Sequence, residues 1–344
     1  MRAVRLHAPG EALRLEEVPL PEPEGSEVRI RVAGAGVCHT DLHIVDGTQP
    51  RVELPRTLGH EVAGHVDAVG PAAGGALRRR RLRIGDAVVV YGGWGCGECL
   101  QCRSGDEQRC ERSVAPGFQA DGGYADAMLV PHPRHLVALG DLDPVRAAPL
   151  ADAGITPLNA VRRALPWLRP GARVLVIGAG ALGQFALQLL RLATPRGRDL
   201  FVGVRELDPA RLERAAELGA DVGLLAVEPA LTVEGLGGRA DVVLDFVGTD
   251  GTLTHAAEVV APGGAVLLVG EAGGQLAFGM ERPTIEAWLT TVAWGSPDDL
   301  RQVVRLARRR RLQWSVETMP LADAMAAHAR LRAAEVEGRI VLVP

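Results

Sequence analysis

The sequence predicts an α/β protein in which a β-rich, partly open barrel is joined to a doubly wound parallel sheet. Three observations carry this. The 344 residues suit two domains of roughly 150 residues each. Up to about residue 130, short runs of alternating apolar residues are separated by Gly, Pro and Asp, as in half-buried strands joined by turns. From Arg173 onward, apolar strands alternate with helical stretches at the spacing of crossover-linked parallel strands. The expected division is 1–150 for the first domain, with a cysteine-rich lobe at 92–112, then 151–285 for the second, with 286–344 returning to the first.

Taken in order, residues 3–6, 13–16 and 28–32 read as strands and the Pro-rich 19–23 as a connector. Residues 38–45 look helical, which puts Cys38 at a helix start where the dipole favours a thiolate. Cys38 and His60 both follow strand-like or loop segments, so they can converge in space. A thiolate and an imidazole are the first two ligands of a catalytic zinc, which takes three from the protein and keeps a fourth position open. Short strands continue at 61–69 and 87–91, around a Gly85-Asp86 turn.

The strongest local signal is Cys96, Cys99, Cys102 and Cys110, spaced C-x2-C-x2-C-x7-C among glycines. Four thiolates from one loop close a tetrahedral structural zinc shell. The alternative is an iron–sulfur cluster, but the bacterial cluster run ends x3-C-P, whereas here the last gap is seven residues and Glu111 follows.

Strand character resumes at 124–130, and 144–150 reads as a short helix. In Asp152-Ala153-Gly154-Ile155-Thr156-Pro157, Thr156 suits an N-cap and Pro157 the first helical position. Asp152 thus lies just before a helix, at the domain junction, with a carboxylate to offer. Strand 174–177 runs into Gly178-Ala179-Gly180-Ala181-Leu182-Gly183 and helix 181–192. Glycines at 178, 180 and 183 permit a tight turn, close approach to a pyrophosphate and tight helix–strand packing. The next strand, 200–204, leads to Glu206, whose carboxylate can accept both hydroxyls of an adenosine ribose and so favours NAD. Arg205 and Arg211 leave open a 2′-phosphate, and hence NADP. Strands at 241–246 and 265–269 flank helix 252–260; helices 297–308 and 322–333 and strands 314–318 and 339–343 complete the chain.

Composition narrows the function classes. The hydrophobic fraction of 47% is that of a globular protein, and the formal charge is -4. All 38 basic residues are arginine and Asn159 is the one asparagine, a bias that fits a GC-rich genome or heat adaptation. The Arg runs 78–81 and 308–311 read as solvated surface rather than a nucleic-acid site. The apolar run 174–190 contains three glycines and two glutamines, which strand-turn-helix explains better than a membrane span. With no basic-then-apolar leader, a cytoplasmic protein is expected, and cysteines in that reducing compartment argue for metal rather than disulfides.

Together, Gly36-Val37-Cys38-His39-Thr40-Asp41-Leu42-His43, Gly59-His60-Glu61, the four-cysteine loop, the 152–157 segment, Gly178 to Gly183 and Gly338-Arg339-Ile340-Val341 make the chain resemble the zinc-dependent medium-chain alcohol dehydrogenases over essentially its whole length. The resemblance is strongest to bacterial NAD-dependent enzymes in which Asp replaces Cys as third zinc ligand. It implies a GroES-like catalytic domain, a Rossmann coenzyme domain, one catalytic and one structural zinc, NAD, and a homotetramer with neither nucleic-acid nor membrane partner. Cys38, His60 and Asp152 would hold the catalytic zinc, with Glu61 behind it or as a transient ligand. Thr40 would take the substrate hydroxyl proton and pass it towards His43 near solvent, a role for which the alternative is a surface histidine. His39 and Arg339 would face the pyrophosphate, while Phe118 and Trp294 would line an apolar, aromatic substrate pocket. The implied reaction is hydride transfer between a primary or secondary alcohol and NAD. Departures from the family pattern are the Arg78 to Arg81 loop and a longer link at 194–199. A polyol or amino-alcohol dehydrogenase of the same fold, or a zinc-ribbon nucleic-acid module, are the alternatives.

Overall fold

The computed structural model describes residues 1–49, 52–193, 199–226, 228–280 and 283–344. Two compact units emerge, Met1–Ile155 with Trp294–Pro344, and Thr156–Ala293. The second unit therefore runs past 285, because Trp288–Thr291 still pairs in parallel with Val260–Leu268.

The first unit is built on the strand Val28–Gly36, whose Val28, Ile30 and Val32 are buried. One edge pairs antiparallel with Glu61–Val69. The other edge is shared, pairing near its start with Ala127–Val130 and near its end with the terminal strand Arg339–Val343. Register shifts at Arg29/Ile30 and Val32/Gly34 bend the strand, as bulges do. The seven-stranded sheet so formed is completed by Val316–Pro320, Ala87–Val90 and Leu136–Ala138. A small antiparallel sheet of Arg14–Glu17, Arg2–Leu6 and Arg56–Thr57 lies beside it in the same unit.

Three local expectations change. The strand expected at 124–130 is only Ala127–Val130, with Ala125 in an isolated bridge to Ala3. The first Arg run closes a short helix, Gly74–Arg79, rather than a loop. The helix after Asp152 is Ile155–Ala164, which puts Thr156 and Pro157 inside its first turn instead of at N-cap and N1. Pro157 remains harmless there, since the first four N–H groups of a helix have no internal partner.

In the second unit six parallel strands run in the order Val222–Leu225, Phe201–Glu206, Arg173–Ile177, Ala240–Asp245, Val260–Leu268, Trp288–Thr291. Chain order reverses between Arg173–Ile177 and Ala240–Asp245, a topological switch point of the kind at which α/β sheets bind ligands. The helix Ala181–Ala193 starts there. The link at 194–198 lies outside the described residues. Among those described, no helix is long and apolar enough to cross a membrane.

Candidate active site

Cys38 caps the helix His39–Val45 in an extended conformation, and its N–H donates to Asp41 Oδ2 at 2.8 Å. That bond fixes the turn that aims its Sγ inward. His60 and Glu61 arrive at the start of the neighbouring strand, and Asp152 at the end of the 3-10 turn Ala148–Ala151. One ligand atom from each of Cys38, His60, Glu61 and Asp152 lies within 4.8 Å of the others. Asp152 Oδ2 stands 3.7 Å from Cys38 Sγ and 3.8 Å from His60 Nε2. Zinc bonds of about 2.0–2.3 Å give tetrahedral edges of roughly 3.3–3.8 Å, so the set fits that ion. Glu61 Oε2, buried without a hydrogen-bond partner, offers a fourth donor.

These side chains are held from behind. Asp41, fully buried, sets its Oδ1 3.4 Å from His60 Nδ1 while its Oδ2 accepts from the Tyr124 hydroxyl at 3.0 Å. A carboxylate behind the distal imidazole nitrogen fixes tautomer and ring orientation. Glu61 Oε1 accepts from Arg339 Nη2 at 2.7 Å, and the same nitrogen lies 3.8 Å from Asp152 Oδ2. Burial pushes the Glu61 carboxyl up to about 8, against the pull of Arg339. Gly36 is required beneath it, because a Cβ there would fall on the Glu61 carboxylate.

Phe118 and Trp294 flank the His60 imidazole edge-on, with ring centroids 5.9 and 6.2 Å away, and stand 6.1 Å from each other. Trp294 adopts φ +44 and lies over Gly92, where a Cβ would come 2.9 Å from its ring. Thr40 Oγ1 is 3.7 Å from Cys38 Sγ, and His43, half-buried, follows three residues later in the same helix. His39 is exposed in the first turn.

The four lobe cysteines also bring their sulfurs within 4.8 Å of one another. Cys96 Sγ accepts from the Cys99 N–H at 3.4 Å and from Arg112 Nη2 at 3.2 Å; Cys110 Sγ accepts from the Cys96 N–H at 3.4 Å. Backbone N–H groups of Glu98 and Cys99 draw Cys96 down to about 6, while burial pushes Cys102 up to about 12. Four cysteine sulfurs gathered this closely can share one cation.

In the second unit, a Cβ on Gly178 would press on Val247 and one on Gly183 would strike the Gly178 carbonyl, but Gly180 has open space. Open space at the middle glycine is where a pyrophosphate can approach backbone. Glu206 Oε2 accepts from Ala179 N at 2.7 Å and its Oε1 from Leu207 N at 2.6 Å, so the carboxylate sits against the glycine turn. Arg205 points to the opposite sheet face, as successive strand residues do, and acts on Asp245 and His255. Arg211 pairs with Asp208 at 3.7 Å.

Residues 24–141 match the alcohol dehydrogenase GroES-like domain family and residues 218–342 the zinc-binding dehydrogenase family. Full-length relatives include a D-arabinose 1-dehydrogenase (NADP(+)) of Saccharolobus solfataricus, 37% identical over 100% of this chain and 97% of its own. An NAD-dependent alcohol dehydrogenase of Sulfurisphaera tokodaii is 36% identical over 100% of both chains. The chain belongs to the zinc-dependent medium-chain alcohol dehydrogenase family. The crystal structure of an alcohol dehydrogenase from Aeropyrum pernix superposes with a TM-score of 0.91 at 35% identity, covering 100% of both chains.

Within this dehydrogenase, sequence reading missed Asp41, Tyr124 and His328, whose Nε2 is 3.5 Å from the Tyr124 hydroxyl. Only the position of Asp41 three residues after Cys38 hinted at a role. Arg339, expected to face the pyrophosphate, is buried with its guanidinium against Glu61 and Asp152; an ion pair between buried groups satisfies a guanidinium that would otherwise lose its solvation.

Proposed function

We propose that this dehydrogenase interconverts a primary or secondary alcohol bearing an apolar or aromatic group with its aldehyde or ketone, using NAD. The convergence of Cys38 Sγ, His60 Nε2 and Asp152 Oδ2 beside Phe118 and Trp294 carries this reading. When bound, zinc supplies Lewis acidity to the substrate oxygen and the nicotinamide a hydride acceptor. Cys38, His60 and Asp152 hold the metal, with Glu61 behind or as a transient ligand and Asp41 orienting His60. Thr40 Oγ1 receives the substrate hydroxyl proton and His43, half-buried in the same helix, passes it to solvent. Phe118 and Trp294 exclude water and pack the substrate's apolar part. Cys96, Cys99, Cys102 and Cys110 hold a structural zinc.

For the coenzyme, Gly178, Gly180, Leu182 and Gly183 cradle the pyrophosphate, and Glu206 takes the ribose hydroxyls. Arg211 is the one arginine of the two left to flank a 2′-phosphate, and its Asp208 partner opposes that use. A homotetramer in the cytosol is the expected form, supported by the exposed edge strand Trp288–Thr291.

A sugar substrate is the second reading, favoured by the 37% identity to a D-arabinose 1-dehydrogenase. Initial rates of NAD and NADP reduction with benzyl alcohol, cyclohexanol, ethanol and D-arabinose separate the two. The proposal expects benzyl alcohol with NAD to lead; D-arabinose with NADP leading would replace it.

A further inference from the structure

The two Arg runs, more than 200 residues apart in sequence, meet in the first unit. They open on a groove of about 610 Å³ that the catalytic machinery does not use. Arg79 and Arg80 come from the first run and Arg308 from the second; Arg134, Arg301 and Arg305 complete the set. Arg301, Arg305 and Arg308 recur at i, i+4 and i+7 on the helix Pro297–Arg308, so one helix face presents all three. Buried Leu82, Leu136 and Val304 form an apolar floor, His132 adds an imidazole, and no carboxylate lines the groove.

Three of the six guanidinium groups have carboxylate partners: Arg134 with Glu107, Arg301 with Asp298 and Arg308 with Asp141. Among the described residues Arg79, Arg80 and Arg305 have none within ion-pair distance. Burial and the cations Arg301 and Arg134 hold the Arg80 pKa below its ordinary value, and burial with Arg134, Arg80 and Arg79 does the same to His132. Glu107 and Asp298 oppose these effects, but with three of six guanidinium groups unpaired the groove keeps an excess of positive charge. A solvated surface run has no such concavity, and its charges spread apart.

We infer that this groove binds a small multivalent phosphate anion, such as a polyphosphate chain or the polyphosphate of a nucleotide. Arginine forks bind phosphate oxygens in pairs, and the volume is that of a small-molecule site. The net charge of -4 disfavours a nucleic-acid duplex, which a basic surface would steer in.

The test is isothermal titration of inorganic tripolyphosphate, orthophosphate and citrate into the zinc-loaded full-length protein saturated with NADH. Zinc content is checked before and after, and the Arg80→Gln/Arg305→Gln double variant is titrated in parallel. Expected is one tripolyphosphate per chain, bound at least tenfold more tightly than orthophosphate or citrate and at least tenfold more weakly by the variant, whose melting temperature and alcohol oxidation match wild type. Equal affinity in variant and wild type would overturn the site, citrate binding as tightly as tripolyphosphate would overturn the phosphate class, and duplex DNA competing at lower concentration than tripolyphosphate would overturn the small-anion reading.

Discussion

In the proposed site, Asp41 acts on a metal that it does not touch. One of its oxygens caps Cys38 while the other faces His60, so it orients two ligands at once. Asp41→Asn should lower zinc affinity and kcat by about 10–100-fold, the usual loss when a carboxylate behind a ligating histidine is changed; unchanged zinc retention under chelator challenge would remove it from that role. Glu206 is argued similarly. Its carboxylate is held against the glycine turn, so Glu206→Gln should raise the KM for NAD roughly tenfold, a charged hydrogen bond being worth about 1.5–3 kcal/mol, with little change in kcat. Equal loss with NADP would count against ribose recognition. Cys38 and His60 were legible because thiol and imidazole announce a metal by type alone. Asp41 was not, since an acidic residue three positions after a cap reads as helix capping, and the burial of Arg339 depends on Glu61, 278 residues away.

At the level of elements, the four-cysteine lobe was readable from spacing, because four sulfurs in one short loop have few other uses. Its attachment was not: Glu107 accepts from Gly95 N, Arg134 Nε and His135 Nε2 at 3.2–3.3 Å. Cys99→Ser should cost about 3 kcal/mol and lower Tm by roughly 6–12 °C, read by calorimetry, with kcat per folded molecule largely kept; full stability after removal of the lobe metal would contradict a structural role. The helix pair Pro229–Gly235 and Asp250–Val259 offers a pH signature. His255 is buried against Thr232 Oγ1 at 3.0 Å, and burial together with Arg205 lowers its pKa to about 4. The unfolded chain takes up this proton near 6.5 while the folded chain does not until about 4. Stability should therefore fall as pH drops through that window, and His255→Gln should flatten the slope of urea midpoint against pH; an identical slope would show that His255 does not titrate there. Strands Val222–Leu225 and Trp288–Thr291 escaped the sequence because the first is half exposed with a glycine inside and the second is exposed throughout, so neither carries an apolar alternation.

Across the whole molecule, architecture was legible because two periodicities, strand alternation and the strand–helix alternation of a parallel sheet, change over within one chain. The limits of the second unit were less so, because its last strand lacks a hydrophobic pattern and is recognised only by its partner. The same exposed strand and the exposed Phe278, Met280 and Ile285 mark the second unit's sheet edge as unprotected. Leu289→Asp should accordingly shift the expected tetramer towards smaller species in light scattering, and an unchanged mass would place the subunit contact elsewhere. The proposed chemistry, however, rests on residues from three distant stretches gathering about one ion. Zinc per chain, measured by elemental analysis on wild type and the Cys38→Ser/His60→Ala variant, tests this most directly. Two ions in wild type falling to one in a folded variant without turnover is the expected result; two ions and near-wild-type turnover in the variant would contradict it.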